Sequence, residues 1–125
     1  MKRLALALAA GSIVLALAGG ALAAPARFEA AVVPSTPQFS AGFFRIEVAT
    51  GQTWQAWGAA TQFSPVVDNA PLPAGDYHLY SKTATFPDGK QNWMMERMDS
   101  VTGRTWVALG GGNVPLVWNE VLVPK

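Results

Sequence analysis

The chain contains no cysteine. Disulfides therefore contribute nothing to its stability, and it has neither a thiol nucleophile nor a thiolate to hold a metal. Histidine is almost as scarce, with His78 the single imidazole. A Ser-His-Asp device would have to use it, and no G-x-S-x-G elbow accompanies it. One histidine without cysteine makes no zinc site, and no spacing of oxygen ligands suits calcium. These absences predict no catalytic residue, no metal and no cofactor. Charge is sparse too, at 14% of residues. Without Lys2 and Arg3, seven basic side chains face eight acidic ones, which leaves no electrostatic footprint for nucleic acid or an anionic membrane.

One long uncharged run is present, at the N-terminus. Lys2 and Arg3 precede Leu4 to Ala24, and Ala21-Leu22-Ala23 closes the run with the small-x-small pattern that a signal peptidase accepts. The run is long enough to span a bilayer, but the Gly19-Gly20 break and the cleavage pattern favour a secretory signal, residues 1–23, cut after Ala23. No stable membrane insertion follows cleavage, and the processed chain is periplasmic or secreted. It keeps 102 residues, the size of one domain with one core.

Aromatic residues are plentiful, with five Trp, six Phe and two Tyr. Two of the tryptophans sit in a stretch that occurs twice. Residues 44–58 read FRIEVATGQTWQAWG, and residues 96–110 read ERMDSVTGRTWVALG; seven of fifteen positions match at an offset of 52. Each copy has an alternating arm, a Thr-Gly turn and an arm carrying Trp, which describes a β-hairpin. A three-residue loop with the Gly left-handed fits the turn, and Asp99 and Glu47 are placed to accept hydrogen bonds from turn amides. That loop puts Ile46, Val48, Trp54 and Ala56 on an apolar face, opposite Arg45, Glu47, Thr53 and Gln55. In the second copy Met98, Ser100, Trp106 and Ala108 oppose Arg97, Asp99, Thr105 and Val107. The rule predicts the apolar faces of both hairpins meeting in one core.

Around the copies the chain reads as further strands. Residues 24–40 carry Pro25, Pro34 and Pro37, a lead-in with at best an edge strand. Residues 58–75 read as a long irregular connection. Tyr77 to Phe86 and Asn92 to Ser100 flank an Asp88-Gly89 turn, and Pro115 to Val123 is a last strand around Trp118. The result is a single β domain over 41–125. Its fold class is all-β, a small antiparallel sandwich or partly open barrel of about six or seven strands.

The hairpin Asp99-Ser100-Val101-Thr102-Gly103-Arg104-Thr105-Trp106, with Trp118 twelve residues on, resembles a pattern of small secreted bacterial β proteins. In those, a strand ending in Asp-Thr or Asp-Ser runs through x-Thr-Gly-Arg/Lys into a Trp strand. It is also similar to single blade hairpins of quinoprotein-type β-propellers. The resemblance implies β structure and carries over no catalytic residue. Two copies fall short of a propeller unless several chains assemble.

For function, these residues predict a non-catalytic binding or assembly module rather than an enzyme. The candidate surface is Trp57, Val107 and Leu109 with Tyr77 and Tyr80, where alternation leaves apolar side chains on a nominally wet face. Its partner would be a protein or a glycan, because exposed Trp and Tyr serve both. A self-associating structural subunit of the envelope is the alternative, and a small hydrolase with an unrecognised site comes third. The carboxylates Glu47 and Asp99 have a simpler role in turns. Export itself is checked by N-terminal sequencing of the chain from the extracytoplasmic fraction: the first residue should be Ala24, and a chain still beginning at Met1 would exclude processing.

Overall fold

The computed structural model describes residues 25–110 and 115–125. The signal segment with its cleavage point, and residues 111–114, lie outside them. Among the described residues there are nine strands and no helix. The first sheet is an antiparallel meander of β1 (Phe28–Val33), β2 (Gly42–Glu47), β3 (Thr53–Trp57) and β4 (Ser64–Pro65). The second has the order β5 (Val67–Asp68), β9 (Val117–Val121), β8 (Thr105–Leu109), β7 (Gln91–Asp99), β6 (Tyr77–Thr85). Only the β5–β9 pair is parallel. The sheets pack as a small sandwich and do not close into a barrel. Two strands more than the sequence predicts come from residues 58–75, where β4 and β5 are two residues each and too short to show a period. The Pro-rich lead-in supplies β1, an edge strand paired along its length with β2.

Both hairpin turns are built alike. Glu47 N–H donates to the Gln52 carbonyl and Gly51 N–H to the Glu47 carbonyl; Asp99–Arg104 and Gly103–Asp99 repeat these bonds. The Thr50 hydroxyl accepts from Gln52 N–H and the Thr53 hydroxyl donates to the Gly51 carbonyl, as Thr102 and Thr105 do in the second turn. Gly51 and Gly103 stand at φ of 75° and 74°, where a Cβ clashes. Every residue of Thr-Gly-x-Thr that the two copies share thus answers to turn closure.

The loop holds four residues, not the three that the sequence suggests, since Glu47 closes on Gln52 and Asp99 on Arg104. One residue of slip exchanges the partners across a hairpin. Arg45 pairs with Trp54 and Arg97 with Trp106, so each arginine shares a face with its tryptophan instead of opposing it. Ile46 pairs with Thr53, on the other face.

The correspondence extends beyond the hairpins. Phe28 pairs with Glu47 as Tyr77 pairs with Asp99, and Val48 N–H donates to the Arg27 carbonyl as Ser100 N–H does to Asp76. On the far side Pro65 pairs with Trp54 as Glu120 pairs with Trp106. Each sheet is therefore a four-stranded meander of one plan, with β5 added to the second.

The two meanders do not meet through equivalent faces, contrary to the sequence-based expectation. The first buries Phe44, Ile46, Thr53 and Val33. The second buries the opposite side: Tyr77, Met95, Arg97, Trp106, Ala108 and Trp118. The counterparts of those six in the first sheet are on its outer side. Burying large apolar side chains this way is worth about 1.5–3 kcal/mol each.

The glycine turns differ in what surrounds them. A Cβ on Gly51 would lie 2.7 Å from Leu72 and 3.0 Å from the Tyr77 ring, whereas Gly103 has nothing within 4 Å. Gly103→Ala should therefore cost about 1 kcal/mol from left-handed strain alone, and Gly51→Ala about 2–4 kcal/mol because overpacking adds to it. Urea unfolding of both variants checks the order; equal costs would contradict this packing.

Candidate functional site

Two arginines, one per sheet, sit among aromatic rings. The Arg97 guanidinium carbon lies 4.6 Å from the Trp118 ring centre, 4.8 Å from Trp106 and 5.9 Å from Tyr77. Arg45 lies 4.6 Å from Phe63, 4.9 Å from Trp54 and 5.2 Å from Phe28. The rings correspond one to one, as the strand registers above place Phe28 with Tyr77 and Trp54 with Trp106. Phe63 and Trp118 each lie two residues before a corresponding residue, Pro65 and Glu120. A cation over aromatic faces is attracted by their quadrupoles, more strongly as water is removed.

The second cage is closed. Arg97 is fully buried, and its guanidinium binds both carboxylate oxygens of Asp68 and the Gly51 carbonyl, the last at 3.0 Å. Asp68 reaches it from β5, and Asn69 holds that segment by donating to the Trp118 carbonyl. A planar bidentate pair of this kind offsets much of the cost of burying the charge.

The first cage is open. Phe28, Val32, Phe43 and Phe63 are 48%, 53%, 40% and 39% exposed, and Trp54 and Ala56 are half-buried beside them. Phe43 and Phe63 touch at 5.9 Å, and Phe28 meets Trp54 at 6.3 Å, so the patch is continuous. Among the described residues Arg45 has no ion pair; its Nε is buried without a hydrogen-bond partner, as is that of Arg97. A shallow groove of about 380 Å³ lies at one end of the patch, lined by Val32, Phe43, Ala56, Thr61 and Phe63 among others. Patches of this kind on a small domain mark contact surfaces.

The residues singled out from sequence separate in the structure. Tyr77 is fully buried, its hydroxyl donating to the Pro73 carbonyl, so it offers no surface. Burial pushes its phenol pKa up. Trp57 turns inward instead of to solvent: the changed hairpin register puts it with Phe44, and its ring packs 4.8 Å from Trp93 while Nε1 donates to Gln55. Tyr80 and Leu109 are exposed, and Val107 half-buried, together on the outer side of the second sheet. Arg45, Phe28, Phe43 and Phe63 were not legible as a site. The arginine match between the copies was the available signal, but the three-residue loop assigned it to a polar face.

Two carboxylates act as the turns require. Asp99 accepts from the Thr102 hydroxyl and from the Asp76 and Val101 amides, which hold it below the usual carboxylate range. Glu47 accepts from the Thr50 hydroxyl rather than from an amide. His78 bridges the sheets, its Nδ1 2.8 Å from Glu29 on β1 and its Nε2 3.0 Å from Asp76. Hydrogen bonds to Asp76 and then Glu29 raise its pKa above 6.5. This is a clasp between β1 and β6. Among the described residues no group of three or more His, Cys, Asp or Glu side chains is arranged to hold a metal.

Comparison with protein-family models, with curated proteins and with solved structures found no match to the chain. The site is therefore read from its own geometry.

The closed cage makes a sharp demand on Asp68. Asp68→Asn leaves Arg97 buried against half a partner and should cost about 3 kcal/mol, the low end for breaking a buried pair, since the Asp68 side chain keeps 26% exposure. Glu120→Gln breaks the exposed pair with Arg104 and should leave the urea midpoint unchanged. Similar midpoints for the two variants would show that the cage does not depend on its ion pair.

Proposed function

We propose that the chain is an exported, non-catalytic binding or assembly module whose working surface is the outer side of the first sheet, around Arg45. One observation carries this reading. The same constellation of arginine and three rings is buried and neutralised in the second sheet, but stands open in the first, with no ion pair among the described residues. Four exposed apolar side chains in one patch are costly to leave in water, and a complementary surface that also brings an acceptor to the guanidinium can cover them.

A protein partner suits the patch better than a glycan. Sugar rings stack on open aromatic faces, and here Arg45 already lies over Phe28, Trp54 and Phe63. Covering Phe28, Val32, Phe43 and Phe63 calls for apolar side chains, with a carbonyl or carboxylate aimed at Arg45. The near-neutral charge gives nucleic acid no hold. Function at the cell envelope or outside it follows from the N-terminal signal reading.

The test is a photo-cross-linking residue at position 43 in the cell that makes the protein. It should give one or two discrete adducts on illumination, while the same residue at the exposed Thr83, at the tip of β6, should give none. Absence of any discrete adduct from position 43 would sink the reading.

A further inference from the structure

The two outer sides of the molecule are counterparts of the two sides that meet inside it. Within the chain, the side of the first sheet bearing Phe44, Ile46, Thr53 and Val66 covers the Arg97 side of the second. The registers map that covering side onto Glu96, Met98, Thr105 and Val121 of the second sheet, with Val107 and Leu109 standing for Gln55 and Trp57. This side is the outer one, where Leu109 and Val121 are 56% and 47% exposed. The Arg97 side maps onto the open Arg45 side of the first sheet. The internal contact is thus heterologous, one side against its opposite, and it leaves one unsatisfied copy of each side at the two ends of the molecule.

We infer that a second molecule of this chain docks head to tail, the outer side of its second sheet covering the Arg45 side of the first molecule. The occupant follows from the internal contact, which shows what covers such a cage. Arg97 takes the Gly51 carbonyl at 3.0 Å, and the counterpart carbonyl is that of Gly103. The Gly51 turn is packed under Leu72 and Tyr77, while a Cβ on Gly103 would meet nothing within 4 Å, so that face of the second turn is open to a neighbour. Beyond Val121, Leu122 and Val123 are 79% and 87% exposed, and they follow β9 as Val67 and Asp68 follow the corresponding Val66. These apolar residues have no cover among the described residues.

One element is missing. Counting along the corresponding strands places Val123 where Asp68 stands, so the contact between molecules lacks the carboxylate that neutralises Arg97. Association should accordingly be weaker than the internal contact, concentration-dependent and little affected by salt. A heterologous contact repeats until its rotation closes a ring, and otherwise gives an open fibre.

This inference rests on the reading of the Arg45 side as a contact surface, and its test separates the two. Phe43→Asp blocks one side and Leu109→Asp the other; Leu109→Asp should keep the wild-type urea midpoint, Phe43→Asp should lower it somewhat by losing its contact with Phe63, and both should still unfold in one cooperative transition. Sedimentation of the chain as recovered from the cell should show growth in size with concentration, and each variant alone should remain monomeric. An equimolar mixture of the two variants should give a dimer and nothing larger, because each retains the side the other lacks. A wild-type chain that stays monomeric at millimolar concentration overturns the inference, as does a mixture that fails to pair. If position 43 then still cross-links to a different protein, the surface stands and the self-docking falls. If it cross-links to nothing, both fall.

Discussion

The fold depends on one buried cation. Arg97 stands at the centre of the contact between the sheets, ringed by Tyr77, Trp106 and Trp118, and it draws three parts of the chain to itself: the first hairpin turn through the Gly51 carbonyl, β5 through Asp68, and its own strand β7. A guanidinium in that place is tolerable because both terminal nitrogens are engaged, even with Nε left without a partner, so the parts that engage it are held in register by the cost of leaving it unpaired. The segment between the sheets, otherwise short of regular structure, is thereby pinned. Asp68 on Arg97 and Asn69 on the Trp118 carbonyl fix β5 against β9 in a parallel pair of only two residues.

The same residue type, in the same frame, has opposite surroundings in the first sheet. There, among the described residues, the arginine has its rings but no ion pair, and the rings are open to water. Since backbone registers and turn bonds agree between the two sheets, the difference lies in what packs on them. The contrast directs attention to the outer side of the first sheet more strongly than any single exposed residue would.

Much of the architecture was legible in the sequence because turn chemistry is local. Thr-Gly-x-Thr specified both hairpins, Asp88-Gly89 the third, and alternation marked β2, β7 and β8. What misled was one residue of loop length. Nothing in Val101-Thr102-Gly103 distinguishes a three-residue from a four-residue loop, yet that choice decides whether Arg97 faces with Trp106 or against it. Trp57 was assigned to solvent for the same reason, and so were the arginines. β4 and β5 are missed because two residues carry no period, and Tyr77 reads as exposed because nothing local to it announces the Gly51 turn of the first sheet packed against its ring. The apolar character of Val107 and Leu109 was readable, and its meaning required knowing which side of the first sheet is covered.

Trp57 and Trp93 come from different sheets, and their indole rings lie 4.8 Å apart at an angle of 39°. Chromophores that close and tilted couple their electronic transitions, and the pair carries a rotational strength that neither ring has alone. The protein therefore contains its own optical gauge of the inter-sheet contact, set by distance and tilt and insensitive to secondary structure within either sheet. Sliding or parting of the sheets alters this signal even while every strand stays intact.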